Sequence, residues 1–76
     1  MRISDLQNKD VINILDGKKI GNIIDLNIDF NGNTTGIVVE KYKFLVSMFS
    51  SNKEIIIKWN QIEKIGEDVI LVNIAY

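Results

Sequence analysis

The 76 residues include no cysteine and no histidine. Without thiols there is no disulfide framework, as expected for a chain kept in a reducing compartment. Without thiolate and imidazole ligands the usual zinc sites are closed off too. The same two absences weigh against catalysis, because they remove the usual general base near neutral pH and the best side-chain nucleophile. Small scaffolds commonly lean on disulfides or a structural metal. Here dense apolar packing has to do that work, and a hydrophobic content of 46% is compatible with it; a subunit contact could add to it.

Long apolar runs are also missing. The longest span three or four residues, such as Ile55 to Ile57 and Val69 to Val72, whereas a membrane-spanning helix needs about twenty residues. The opening Met1-Arg2-Ile3-Ser4-Asp5-Leu6 has no apolar core of a signal peptide, so a cytoplasmic, soluble protein is expected. Nor is there an excess of either charge: nine basic and ten acidic residues give a net of −1. The only local basic clusters are Lys18–Lys19 and Lys41–Lys43, too little for the basic face of a nucleic-acid binder. Direct DNA binding is therefore not expected, although a partner's basic surface could recruit the chain to a nucleoprotein. Proline, internal repeats and linker-like stretches are all absent, so residues 1–76 read as a single domain.

What is present alternates with period two. Ile20, Asn22, Ile24, Leu26, Ile28 and Phe30 fall on one side of a long strand, with Asp25, Asn27 and Asp29 on the other. Successive side chains of a strand point to opposite faces, which predicts an apolar stripe inward and carboxylates in water. A bend is expected near Gly21 or at Ile23–Ile24, where the alternation doubles. Asp16-Gly17 precedes this strand and Asn31-Gly32-Asn33 follows it, both strong hairpin signals. With Val11 to Leu15 before and Gly36 to Phe44 after, the stretch 11–44 reads as a three-stranded meander. Glu54 to Trp59 is a further strand on its isoleucine content. Asn60 to Lys64 has the spacing of a capping box, with Gly66 as its stop, and predicts one helical turn. Asp68 to Ile74 is the last strand. Five or six short strands with one helical turn predict an all-β domain, and at this length a small barrel covers its edges better than a sandwich does.

Several of these segments resemble a known family. The opening Met1 to Leu6, the segment Val11 to Gly21 with Asp16-Gly17 and Ile20-Gly21, and the closing Ile57 to Val72 are similar to PRC-barrel domains. The most specific part is the closing pattern, apolar-Lys-Trp-x-x-Ile-x-x-Ile-Gly-x-Asp-Val-Ile. The chain resembles most closely the short, stand-alone YlmC/YmxH family of sporulating bacteria. The resemblance covers essentially the whole chain and implies a small PRC-type β-barrel with an intracellular role linked to spore formation. Relatives in the wider superfamily include a domain of a ribosome-maturation factor and the cytoplasmic domain of the reaction-centre H subunit, both docking domains. The resemblance therefore implies a non-catalytic adaptor, with a ribosome- or RNA-associated assembly factor as the alternative. It carries no catalytic motif. The segment Phe44 to Ser51 departs from the glycine- and phenylalanine-rich stretch usual at that place in the family.

Asp25 and Asp29 form a carboxylate pair, but on the expected solvent face. Asp29-x-Asn31-x-Asn33 followed by Glu40 has the spacing of an EF-hand loop. Thr34 stands where that loop needs glycine, and the flanks read as strands, so a hairpin turn is the better reading. No glycine-rich phosphate loop occurs, and no catalytic residue, metal ligand, cofactor or small-molecule substrate is expected. Trp59, beside a triple isoleucine, reads as core. The segment that stands out is Phe44, Leu45, Val46, Met48 and Phe49, apolar residues set among serines. It reads either as a plug for the barrel end or as an exposed contact surface. If exposed, it suits a protein partner or homo-oligomer; membrane contact ranks third for want of basic residues beside it.

Overall fold

The computed structural model describes residues 2–42 and 53–75. A short helix α1 (Ile3–Gln7) is followed by strands β1 (Asp10–Asn13), β2 (Lys19–Ile28) and β3 (Thr34–Lys41). After the segment 43–52 come β4 (Glu54–Lys58), a 3-10 turn (Trp59–Gln61), β5 (Ile62–Ile65) and β6 (Val69–Val72). One six-stranded sheet holds them in the order β4-β3-β2-β1-β6-β5. The expected meander is there, as antiparallel β1–β2 and β2–β3 pairs. β4 extends it antiparallel to β3, whereas β1 and β6 lie parallel and so bring the C-terminal hairpin to the far side.

The barrel expectation holds, with one seam left open. The sheet does not close by hydrogen bonds: β4 and β5 stand at its two ends. Those ends are joined covalently by the three-residue 3-10 turn between Lys58 and Ile62. The sheet is therefore coiled so far that its first and last strands are chain neighbours, the arrangement of a PRC-type barrel with one open seam.

Register explains where the apolar stripe went. Opposite β3, Ile23 pairs with Val39 and Asp25 with Val38, leaving Ile24 as an extra residue in β2. Such a bulge shifts the side-chain phase by one. Ile23 and Leu26 thus face inward, while Ile24 and Ile28 are exposed and Phe30 stands fully in solvent at the hairpin tip. A second bulge, opposite Val11 and Ile12 of β1, turns Ile20 into the core. The strict alternation expected from Ile20 to Phe30 therefore fails at Ile24, Ile28 and Phe30. Bulges increase local twist, which is how a ten-residue strand can wrap a small core.

That core is aliphatic: Leu6, Val11, Ile20, Ile23, Ile37, Val39, Ile57, Ile70, Val72 and Ile74 are buried. Leu6 is the contribution of α1, a helix of five residues that is too short to show a period in sequence. Its first turn is held by Asp5, whose carboxylate accepts the Arg2 N–H at 2.9 Å. The helical turn expected at Asn60–Lys64 lies upstream, and Ile62–Ile65 is strand β5 instead. Gln61 Oε1 accepts the Lys58 N–H at 2.9 Å, the reach-back that the sequence suggested for Glu63. Ile62 and Ile65 pack on the core in the ladder with β6, and that packing outweighs the local helical signal.

Both turn signals lie at chain reversals, with chemistry differing in detail. Asp16 does not take positive φ as a two-residue Asp-Gly hairpin requires; the 14–18 connection closes through Gly17 N–H on the Asn13 carbonyl at 2.8 Å. In the β2–β3 turn, Asp29 Oδ1 accepts the N–H groups of Asn31 and Asn33, each at 2.9 Å. Glu40 is opposite Asn22, at the far end of the β2–β3 ladder from this turn. The residues with EF-hand spacing are thus spread along a hairpin.

Candidate functional site

The apolar residues singled out by sequence, Phe44, Leu45, Val46, Met48 and Phe49, lie outside the described residues. What the structure fixes is where their segment is rooted. Lys41 N–H donates to the Lys53 carbonyl at 2.7 Å, so the chain leaves β3 and enters β4 at one point. Tyr42 N–H donates to the Ile20 carbonyl at 3.0 Å and ties the same point to β2.

Beside that root lies an apolar surface on the outer face of β3 and β4. Val38 and Ile56 are direct cross-strand partners there. Lys53 and Glu54 line a shallow groove with them at the root end. At the other end Ile56 continues into a second groove with Asn27, Thr35, Lys58, Trp59 and Asn60. Ile56 is 57% exposed and Trp59 48%. Thr35 is held in place by Asn27, whose Nδ2 donates to Thr35 Oγ1 at 2.8 Å while Thr35 Oγ1 donates back to the Asn27 carbonyl at 3.0 Å. Apolar side chains inside a rim of lysine, glutamate and amides have the make-up of a protein contact surface. Binding pockets for small molecules are instead concave, with polar groups converging on one point.

The reading of Trp59 as core is thereby corrected. It follows β4 in the 3-10 turn, where the chain swings away from the strand and carries the indole out of the interior. Ile56 was missed as a surface residue, though its signal was present. Three isoleucines in an antiparallel strand cannot all point inward: Ile57 is fully buried, Ile55 partly so, and Ile56 must face out. Trp59 is the sole tryptophan, so its fluorescence reports this surface directly. In the folded protein its emission is expected to be close to that of solvated indole and to be quenched readily by acrylamide. A blue-shifted emission that acrylamide cannot reach would contradict this placement.

Asp25 and Asp29 lie on the solvent side, as the alternation implied, and each is engaged with nearby backbone. Asp25 Oδ1 accepts the Leu26 N–H at 2.8 Å, and Asp29 is occupied by its turn. No helix among the described residues is long and apolar enough to cross a membrane.

A coiled six-stranded sheet with its ends joined by one 3-10 turn, and with an apolar surface beside the β3–β4 connection, defines a small β-barrel-type domain. The chain belongs to the PRC-barrel domain family, whose sequence profile matches residues 1–76. It is 40% identical over 74 residues to the probable sporulation protein YlmC of Bacillus subtilis, covering 96% of this chain and 91% of that protein. An uncharacterised protein of Clostridium acetobutylicum is 38% identical over 71 residues, covering 93% of this chain and 82% of that protein. The uncharacterised protein YmxH of Bacillus subtilis is more distant, 25% identical over 77 residues, covering 97% of this chain and 89% of that protein.

Proposed function

We propose that this protein is a non-catalytic docking domain that serves spore formation, binding a protein partner or a second copy of itself through the segment Phe44–Phe49. The observation that supports this reading most is the apolar outer surface of Val38, Ile56 and Trp59, which runs up to Lys53 at the root of that segment. The segment that carries Phe44, Leu45, Val46, Met48 and Phe49 is rooted beside an apolar surface that the sheet already presents. Similarity to a probable sporulation protein supplies the setting. Methionine and phenylalanine suit such a role because they are adaptable contact residues, enriched at interface centres.

The double substitution Met48→Ser and Phe49→Ser tests it. The variant is expected to melt within a few degrees of the parent protein, yet lose the partner that the parent captures from sporulating cells. Unfolding of the variant would place both residues in the core and remove them from any contact surface. Unchanged capture would move the contact elsewhere.

A further inference from the structure

The outer edge of β4 carries a charge pattern that the docking reading does not use, although the two share Ile56 and Val38. β4 is Glu54-Ile55-Ile56-Ile57-Lys58, with opposite charges at its ends and isoleucine at its centre. It is the terminal strand of the sheet, so among the described residues its outer edge has no ladder partner. We propose that this edge pairs with the β4 of a second copy, antiparallel and about a two-fold axis through Ile56, to form a dimer.

Three observations converge on that register. The first is backbone phase. Lys41 N–H donates to the Lys53 carbonyl, and hydrogen-bonded pairs alternate along an antiparallel ladder. With Val39 opposite Ile55 and Ile37 opposite Ile57, residues 53, 55 and 57 direct their backbone groups toward β3. Glu54, Ile56 and Lys58 therefore direct theirs outward. An axis through Ile56 lets the two Ile56 residues exchange N–H and carbonyl groups. It also lets each Glu54 N–H reach the opposing Lys58 carbonyl. The Lys58 N–H is already given to Gln61, so this edge donates only from Glu54 and Ile56.

The second is charge. Centred on Ile56, the pairing sets Glu54 of each copy opposite Lys58 of the other. Centred on residue 54 or residue 58, it would oppose two glutamates or two lysines. Centred on residue 55 or residue 57, it would set Glu54 or Lys58 against Ile56. Only the Ile56 register satisfies both charges, and opposite charges facing across strands stabilise the pair while like charges destabilise it. Among the described residues neither Glu54 nor Lys58 is engaged in an ion pair within the chain.

The third is the apolar centre. Ile56 is 57% exposed, and the pairing brings it against its own counterpart, with Val38 of each copy as the next row. A two-fold interface has to be self-complementary, and a strand with an acid at one end, a base at the other and isoleucine at its midpoint meets that condition. Edge strands left unpaired invite this mode of association. The inference is independent of the segment Phe44–Phe49.

Charge reversal tests it on the full chain. Sedimentation equilibrium is expected to show a monomer–dimer equilibrium that weakens in high salt. E54K alone and K58E alone each oppose like charges twice and are expected to be monomeric at concentrations where the parent is a dimer, at least tenfold weaker. Both variants should keep the parent's circular dichroism and melting temperature, because these side chains are exposed. Mixing the two single variants restores complementarity at both positions, so a heterodimer is expected on mixing and from neither alone. The double variant E54K/K58E should dimerise with itself again. A parent protein that stays monomeric to millimolar concentration overturns the proposal. So do single variants that dimerise as the parent does, or a mixture that fails to associate. A monomeric parent would also remove self-association from the docking reading, whereas capture of a protein partner through Met48 and Phe49 is read in its own experiment, so the two readings fail on different results.

Discussion

Gly21→Ala is expected to cost on the order of 3 kcal/mol or more, because an added Cβ would meet backbone that cannot move aside. Built on Gly21, that Cβ falls 1.9 Å from the Glu40 carbonyl oxygen and 2.8 Å from its carbon. Gly21 pairs with Lys41 across the β2–β3 ladder. Gly36→Ala repeats the conflict on the other side of β3, with the Cβ at 2.4 Å from the Ile57 carbonyl oxygen. Both glycines are buried within strands, where glycine marks close approach of a second backbone. A domain of this length has roughly 4–11 kcal/mol of stability in all, at the usual value per residue. At several degrees per kcal/mol, a melting temperature lower by roughly 10–25 °C is expected for either variant. Gly66→Ala is the control, since its Cβ would sit 3.3 Å from Val69, a contact that a small shift relieves. Thermal melts followed by circular dichroism decide the matter, and a G21A melt that overlays the parent's would refute the close approach.

The second large effect is expected at Asn13, the one fully buried side-chain amide among the described residues. Its Nδ2 donates to the Ile74 carbonyl at 2.8 Å, and its Oδ1 accepts the Ile74 N–H at 3.3 Å. One side chain thus stands in for a strand partner and holds the chain beyond β6, where the buried Ile74 completes the core. Asn13→Leu keeps the size but leaves both Ile74 groups buried without partners, at a cost of about 2–4 kcal/mol. Asn13→Asp should behave differently with pH. A protonated carboxyl can donate to the Ile74 carbonyl, whereas a carboxylate cannot and would be buried as a charge. Burial raises the folded-state pKa of such a group above its unfolded value near 3.9. The native-like stability is therefore present below that value and lost as pH rises through the raised one. Urea midpoints for N13D and the parent should be closest near pH 3 and diverge toward pH 7. A constant gap across that range would mean that the Ile74 contact is not what Asn13 contributes.

The sequence made some of this legible and hid the rest for identifiable reasons. The meander could be read because Asp16-Gly17 and Asn31-Gly32-Asn33 separate β-branched runs, and those signals are local. The last strand was legible for the same reason. The split of the triple isoleucine into Ile55 and Ile57 within and Ile56 without follows from period two alone, yet a short apolar run reads as uniformly buried until a strand is assigned to an edge. The bulge at Ile24 could only be suspected, since a doubled apolar pair does not say which residue is the extra one. The partner strand decides, by offering Val39 to Ile23 and Val38 to Asp25. Likewise Asn60 to Lys64 carries a helical capping pattern, yet Ile62 to Ile65 forms a ladder with β6, and nothing within those residues announces that partner.

From residues alone, then, came the all-β class, the hairpin positions, the resemblance to the PRC-barrel family and the removal of thiol and imidazole chemistry. Each of these depends on composition or on neighbours within a few positions. The tertiary structure decided which isoleucines are surface, why Gly21 and Gly36 must be glycine, that Asn13 fastens the chain at Ile74, and that β4 presents an acid-to-base edge. All of these depend on which strand lies beside which. Pairing partners are set by burying aliphatic side chains, ten of them among the described residues, in a common interior, and no local stretch of sequence contains that constraint.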